Sequence, residues 1–164
     1  MERLALLLEE DLSEGLGRYG HLLAREADHL QELVAGAYEA MRDFDLFASY
    51  SFVYFAAASF AEASQRLLPP PDGGSWAWQG FLGSTDLTTR DMLVRAVAAL
   101  RELPAEHLDE EIRRLIAPRN LAGLADPARK GLYPVDLEPL VENADLLGLT
   151  KEEVRREIPR LVRQ

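Results

Sequence analysis

The sequence predicts an all-α protein with five to seven helices packed around one apolar central helix at about residues 46–67. Apolar residues recur at intervals of three and four along most of the chain, which is the helical period. No run shows the sustained alternation of apolar and polar residues that is typical of strands. The 164 residues are 48% apolar and 28% charged, which fits a single helical domain spanning residues 1–164.

The N-terminal third is predicted to form two helices separated by a flexible break. Residues 2–12 indicate a short amphipathic helix, and the three glycines of GLGRYG, residues 15–20, are typical of a break. The next helix is expected from His21 to Arg42. Its buried face is expected at the apolar positions that follow one another by four and three, namely Leu23, Ala27, Leu30, Val34, Ala37 and Met41.

The central helix, residues 46–67, is apolar on every side as far as Ala61. A helix of that kind must be surrounded by other helices or by a partner. Asp43 or Asp45 can cap its start, and the prolines at 69–71 end it. Its apolar segment of sixteen residues, 46–61, is shorter than the roughly 20 residues that span a membrane. We therefore expect the core helix of a cytoplasmic protein that has no membrane contact.

Two long loops, residues 68–84 and 118–135, are expected to be ordered and to enclose two further helices. The first of these helices is expected to begin near Thr85, and the second follows Pro104, which suits a first helical position. Their buried faces are expected at Leu93, Val97, Leu100 and Leu103 and at Leu108, Ile112, Leu115 and Ile116.

The C-terminal region predicts a short helix followed by a last helix. Asp136 can cap the short helix, and Gly148 is typical of a helix stop. Thr150 and Glu153 have the spacing of a capping box, which predicts the start of the last helix. Pro159 is expected to end or kink it.

Composition excludes several classes of function. The chain has no cysteine, which excludes disulfides, cysteine-ligated metals and a thiol nucleophile. Its formal net charge of −10 disfavours binding to nucleic acid, because phosphate backbones repel an acidic protein. The GxGxxG spacing within residues 15–20 follows a helix and not a strand, so it lacks the context of a dinucleotide-binding loop.

One Glu-x-x-His motif, Glu26 and His29, raises the question of a metal site. Helical bundles that bind two iron ions need this motif twice, and neither His21 nor His107 belongs to a second copy. If Ala27 and Leu30 face the core, Glu26 and His29 lie towards its boundary. We therefore expect a solvated helix face at these residues and no metal site.

The density of aromatic residues is the main candidate for a binding surface. Most of these rings are expected to fill the core. Trp76 and Trp78 stand in a glycine-rich loop, where two large rings are costly to leave bare. Tyr50 and Tyr54 are one helical turn apart, and their hydroxyls need partners or a ligand. These four residues are the predicted substrate or docking surface.

Two stretches of the chain, residues 33–67 and 116–154, carry a resemblance to a known family. The first contains the aromatic and alanine-rich central helix. The second contains the more specific strings APRNLAGLADP and LYPVD. Together they resemble the C-terminal helical region of flavin-dependent halogenases and related FAD-dependent oxidoreductases.

The resemblance implies that any chemistry belongs to another part of such a protein. In that family the flavin-binding glycines and the catalytic lysine of the halogenases lie in an N-terminal flavin domain, which has no counterpart here. The resemblance therefore assigns no catalytic, cofactor-binding or metal-binding residue to this chain, and FAD is expected only in an absent flavin domain. The residues singled out in the second stretch are Asn120, Asp126, Tyr133 and Asp136.

Three functional readings remain open from the sequence. The first is a stand-alone helical domain, not catalytic by itself, that packs on a flavin domain or borders its substrate site. The second is a homodimeric interaction module, which the apolar central helix and the tryptophan loop favour. The third is a helical bundle that binds a small hydrophobic aromatic molecule.

Overall fold

The computed structural model describes residues 12–69, 80–126 and 136–161, and these residues are helical without strands. The described helices are α1 (Leu12–Ala40), α2 (Phe44–Leu67), α3 (Leu87–Glu102), α4 (Ala105–Ile116), α5 (Glu138–Glu142) and α6 (Lys151–Leu161). Short 3₁₀ turns occupy Phe81–Gly83, Ala117–Arg119 and Ala144–Leu147. The all-α prediction is confirmed.

Helix α2 is the centre of the packing, as the sequence predicted. Its buried face runs along the whole helix and includes Leu46, Tyr50, Val53, Ala57 and Phe60. Helices α1, α3 and α4 pack against it. The main core forms where this face meets Leu33, Leu93, Leu100, Leu108 and Ile112, all of which are buried.

Helix α2 begins two residues earlier than predicted because Asp43 caps it. The Asp43 carboxylate accepts hydrogen bonds from the backbone N–H groups of Asp45, at 2.8 Å, and Leu46, at 3.2 Å. These contacts satisfy donors that a helix start otherwise leaves without partners. The helix ends at Leu67, directly before the prolines.

Helix α1 corrects the prediction of a glycine break at residues 15–20. The helix is continuous from Leu12 to Ala40 and passes through Gly17 and Gly20. Each of these glycines weakens a helix by about 1 kcal/mol relative to alanine, which tertiary packing along a long helix can offset. The short helix expected at 2–12 lies outside the described residues, except for Leu12.

The buried face predicted for α1 is also wrong. Leu23, Ala27, Leu30, Val34 and Met41 are exposed, and Ala37 is half-buried. The residues that face the core belong to a neighbouring stripe of the same period, which comprises Leu22, His29, Leu33, Gly36 and Ala40. Both stripes satisfy the helical period, so periodicity alone could not choose between them.

The two helices after the first loop largely follow prediction. Helix α3 begins at Leu87, later than Thr85, because the Asp86 carboxylate caps it through the N–H of Thr89 at 3.0 Å. Leu93 and Leu100 are buried, whereas Leu103 is 37% exposed just past the end of the helix. In α4 the four predicted core residues are all buried.

Of the C-terminal predictions on capping, those for Gly148 and for the Thr150–Glu153 box are confirmed. Asp136 does not cap α5: the N-cap residue is Leu137, and the Asp136 carboxylate accepts a hydrogen bond from the N–H of Glu138 at 3.0 Å in the turn before the helix. Gly148 ends the preceding 3₁₀ turn with a left-handed φ of 70°. Thr150 and Glu153 form the reciprocal capping box that starts α6. Pro159 lies inside that helix near its end. Within the second predicted loop, residues 120–126 form tight turns.

Among the described residues, only α2 has the length and composition to cross a membrane. The core helix of a soluble protein passes the same test. Its buried face packs on other helices of this chain.

Candidate functional site

The two tyrosines of the predicted surface lie in different environments. Tyr50 is only 1% exposed, and its hydroxyl donates a hydrogen bond to the backbone carbonyl of Leu33 at 3.2 Å. Burial raises the pKa of Tyr50 well above its ordinary value. Tyr50 is therefore a core residue, which corrects its assignment to a docking surface. Tyr54 is 43% exposed, and its ring contacts Phe55 edge to face.

Three of the predicted site residues, Trp76, Trp78 and Tyr133, lie outside the described residues. The remaining three belong to the second resembling stretch. Asn120 has a structural role, since its side-chain oxygen accepts from the N–H of Ala125 at 3.1 Å and its backbone carbonyl accepts from the Asn143 amide at 3.2 Å. Asp126 is exposed at the end of these turns.

An apolar groove lies between α2 and the residues around the second loop. It has a volume of about 300 Å³. One wall is formed by α2, and the opposite wall by residues 121–122 and 136–140. The lining residues are Ser59, Glu62, Ala63, Arg66, Leu121, Ala122, Asp136, Leu137 and Leu140. Asp136 is the predicted site residue that the structure brings to this groove.

Polar groups are confined to a few points around the groove. Glu62 and Arg66 form an ion pair one turn apart on α2. The Ser59 hydroxyl donates to the carbonyl of Ala56 at 3.3 Å, so its oxygen keeps the capacity to accept another hydrogen bond. Apolar walls with a small number of polar groups are typical of sites for small organic ligands.

Arg119 joins the second stretch to α2 and to the start of α3. Its guanidinium carbon lies 4.1 Å from the centroid of the Phe60 ring. The same guanidinium pairs with the Asp86 carboxylate at 2.7 Å. Burial works to raise the pKa of Asp86, but hydrogen bonds from Thr89 and the bonds and charge of Arg119 outweigh it and lower that pKa. These contacts of Arg119 hold the chain just before Leu121 and Ala122, which line the groove, against α2.

Glu26 and His29 together hold the turn at Phe81–Gly83. A Glu26 carboxylate oxygen accepts from the N–H of Phe81 at 2.6 Å, and His29 Nε2 lies 3.2 Å from the carbonyl oxygen of Leu82. A carbonyl can only accept, so Nε2 carries the proton. His29 is buried, which corrects its predicted place on a solvated face.

Burial also decides the charge state of His29. It lowers the pKa of the imidazole from 6.5, with a further contribution from the charge of Arg90. The hydrogen bond to Leu82 and the charge of Glu32 act in the opposite direction and are outweighed. Leu82 itself has a left-handed φ of 52°, which a non-glycine residue adopts at a cost of about 1–2 kcal/mol. The Glu-x-x-His pair stabilises this turn.

The sequence did not single out Arg119 or the role of the Glu-x-x-His pair. The motif was recognised in the sequence. Its partner is the backbone of a turn some fifty residues later, and no side-chain pattern predicts that contact. Within the described ranges, no group of three or more histidine, aspartate or glutamate side chains is arranged to hold a metal ion. No family model, curated protein or solved structure matches the chain.

Proposed function

We propose that this chain is a helical module that borders the substrate site of a flavin domain, with the chemistry supplied by that domain. The support is the resemblance of residues 33–67 and 116–154 to the C-terminal helical region of flavin-dependent halogenases and related FAD-dependent oxidoreductases. One structural observation carries the proposal. The apolar groove lies where these two stretches meet, with α2 from the first and residues 121–122 and 136–140 from the second as its walls.

The groove suits a small, flat aromatic molecule. Its volume of about 300 Å³ is at the lower end of ligand sites in proteins. Leu121, Leu137 and Leu140 supply apolar surface for a ring. Ser59 and Asp136 can accept hydrogen bonds from a ring N–H or hydroxyl, which would orient the molecule. Indole and phenol are the simplest probes with these properties.

In this proposal the chain binds and orients, while FAD belongs to the separate flavin domain. The purified chain is therefore expected to be colourless. A visible absorption spectrum after purification in the presence of FAD tests this directly. Stoichiometric retention of FAD by this chain alone would contradict the division of roles.

Binding in the groove is tested by saturation-transfer NMR with indole as the probe. The wild-type chain is expected to transfer saturation to indole. Ala122→Leu, which adds bulk to the groove wall, is expected to abolish the transfer. Ala98→Leu makes the same change on α3, at a half-buried position outside the groove, and is the matched control. Equal transfer by both variants would show that indole binds elsewhere and would contradict the groove assignment.

A further inference from the structure

A polar cavity with a volume of about 560 Å³ lies between α1 and α3. Seven of its eight lining residues are polar, and they include Arg25, Asp28, His29 and Glu32 on α1 and Arg90 on α3. None of its lining residues belongs to the apolar groove. A ligand of this cavity therefore differs in chemistry and in place from the molecule proposed for the groove.

His29 offers this cavity a hydrogen-bond acceptor that the chain does not use. The residue is only 4% exposed, and its Nε2 donates to the carbonyl of Leu82. Burial lowers the pKa of the imidazole, so the ring is neutral at neutral pH and Nδ1 carries no proton. Among the described residues, Nδ1 has no hydrogen-bond partner. Polar groups of buried residues are normally satisfied, which indicates that a donor from outside the chain reaches this nitrogen.

The charged side chains around the cavity do not neutralise one another. They are Arg25, Asp28, Glu32 and Arg90. None of the four makes a side-chain hydrogen bond or ion pair within the described residues. Arg25 and Asp28 are three residues apart, a spacing at which ion pairs form on a helix, and they still do not pair. Each sign of charge is therefore available to a ligand.

The balance of these charges favours a ligand that carries both signs. An anion alone would be attracted by two guanidinium groups but repelled by two carboxylates, and a cation alone would meet the reverse. Within the described ranges, the acidic and histidine side chains are also not arranged to hold a metal ion. A zwitterion has no net charge and can direct its carboxylate and its ammonium group to opposite partners.

The surroundings of His29 indicate how such a ligand would be oriented. Arg90 and Glu32 both lie near the imidazole, since the charge of Arg90 acts to lower its pKa and the charge of Glu32 acts to raise it. A carboxylate directed to Arg90 accepts hydrogen bonds from the guanidinium. An ammonium group directed to Glu32 has three N–H donors, and one of them can serve Nδ1 of His29.

We infer that the cavity between α1 and α3 binds a small polar α-amino acid, with its carboxylate on Arg90 and its ammonium group on Glu32 and His29 Nδ1. The volume leaves room for a side chain, because it lies within the range of sites that hold larger organic molecules. Gln31 also lines the cavity and can exchange hydrogen bonds with an uncharged polar side chain. L-Glutamine is the probe with these properties.

A ¹H–¹⁵N chemical-shift titration of the full chain with L-glutamine tests the inference. Saturable shifts are expected in the residues that line the cavity. Arg90→Gln and Glu32→Gln are each expected to weaken binding by about tenfold or more, because each removes a charged partner. Arg95→Gln makes the same change on α3 outside the cavity and is the matched control, expected to bind as the wild type does. Absence of saturable shifts, or equal binding by Arg90→Gln and Arg95→Gln, would overturn the inference.

Two truncated relatives of glutamine test the requirement for both charges. Glutaramate keeps the carboxylate and lacks the ammonium group, whereas γ-aminobutyramide keeps the amine and lacks the carboxylate. Each is expected to bind about tenfold or more weaker than L-glutamine. Binding of glutaramate as tight as that of L-glutamine would show an anion site, and equal binding of γ-aminobutyramide would show a cation site. Either result would overturn the assignment to a zwitterion.

The imidazole of His29 reports the orientation of the ligand. The ¹⁵N resonance of an unprotonated ring nitrogen moves upfield when that nitrogen accepts a hydrogen bond. Saturation with L-glutamine is expected to move the Nδ1 resonance of His29 in this direction, in long-range ¹H–¹⁵N spectra of the labelled chain. An unchanged Nδ1 resonance at saturation would overturn the assigned hydrogen bond. Failure of glutamine binding would leave the groove proposal standing, and failure of indole binding would leave this inference standing.

Discussion

His29 on α1 donates a hydrogen bond from Nε2 to the backbone carbonyl of Leu82, 3.2 Å away. Three residues earlier on the same face, Glu26 accepts from the N–H of Phe81. One helical turn thus binds both a donor and an acceptor of the Phe81–Gly83 turn. That turn stands directly after residues 70–79, which include both tryptophans.

The free energy of unfolding should fall as the pH is lowered, because His29 is held neutral in the folded chain. Its folded-state pKa is lowered from 6.5, so the unfolded chain binds a proton at pH values where the folded chain does not. The contribution of the neutral imidazole to the free energy of unfolding is complete above pH 6.5 and decreases as the pH falls towards the lowered pKa. Urea titrations of wild type and His29→Gln between pH 7 and 5 measure this. The difference between their unfolding free energies should narrow as pH falls, and a constant difference would contradict the prediction.

Arg119 and Asp86 should form the most stabilising ion pair among those described. Both side chains are largely buried, and Arg119 also stacks on Phe60. Arg119→Ala is expected to lower the free energy of unfolding by about 2 kcal/mol, since it removes charged hydrogen bonds and a ring contact. Arg114→Ala is the control. The Arg114 side chain is 63% exposed, so the loss of its pair with Glu111 is expected to change the free energy of unfolding little. Chemical denaturation of both variants gives the comparison.

The contribution of the Arg119–Asp86 pair to the free energy of unfolding should depend on pH in a defined range. The pKa of Asp86 is lowered from 3.8, so its contribution is complete above about pH 3.8 and is lost as pH falls through the lowered value. Asp86→Asn should therefore be less stable than wild type at pH 7. That deficit should decrease below pH 3.8. A deficit that already vanishes at pH 6 would assign the effect to another group.

Gly36 should be intolerant of a side chain. A β-carbon at this position would overlap the hydroxyl and lie 2.5 Å from the ring carbon Cζ of Tyr50, which is buried and cannot move aside. Gly36→Ala is expected to lower the free energy of unfolding by about 1–3 kcal/mol. Gly17→Ala, at an open position on the same helix, is expected to raise it by about 0.5–1 kcal/mol. Thermal melts should move in opposite directions, and equal shifts would contradict the packing described.

The helices could be predicted where local chemistry determines them. The Asp43 cap, the apolar α2, the core of α4 and the Thr150–Glu153 box all depend on residues close together in sequence. The buried face of α1 could not be predicted in this way. Two stripes of equal period compete there, and the buried one packs on partners distant in sequence: Leu33 lies in the main core, and His29 contacts Leu82.

The candidate site was predictable only in part, for the same reason. Asp136 was singled out as a cap and also lines the groove. Tyr50 was assigned to a surface because its hydroxyl needed a partner, and that partner is the carbonyl of Leu33 on a neighbouring helix. The role of Arg119 could not be predicted from the sequence because its partners are distant along the chain. They are the Phe60 ring on α2 and the Asp86 carboxylate just before α3.

A residue-resolved ¹H–¹⁵N chemical-shift titration of the chain with indole is the most direct test of the proposed substrate-bordering role. The proposal predicts saturable shifts concentrated at the groove, in residues 59–66, 121–122 and 136–140. Absence of saturable shifts, or shifts confined to the exposed face of α1, would contradict it.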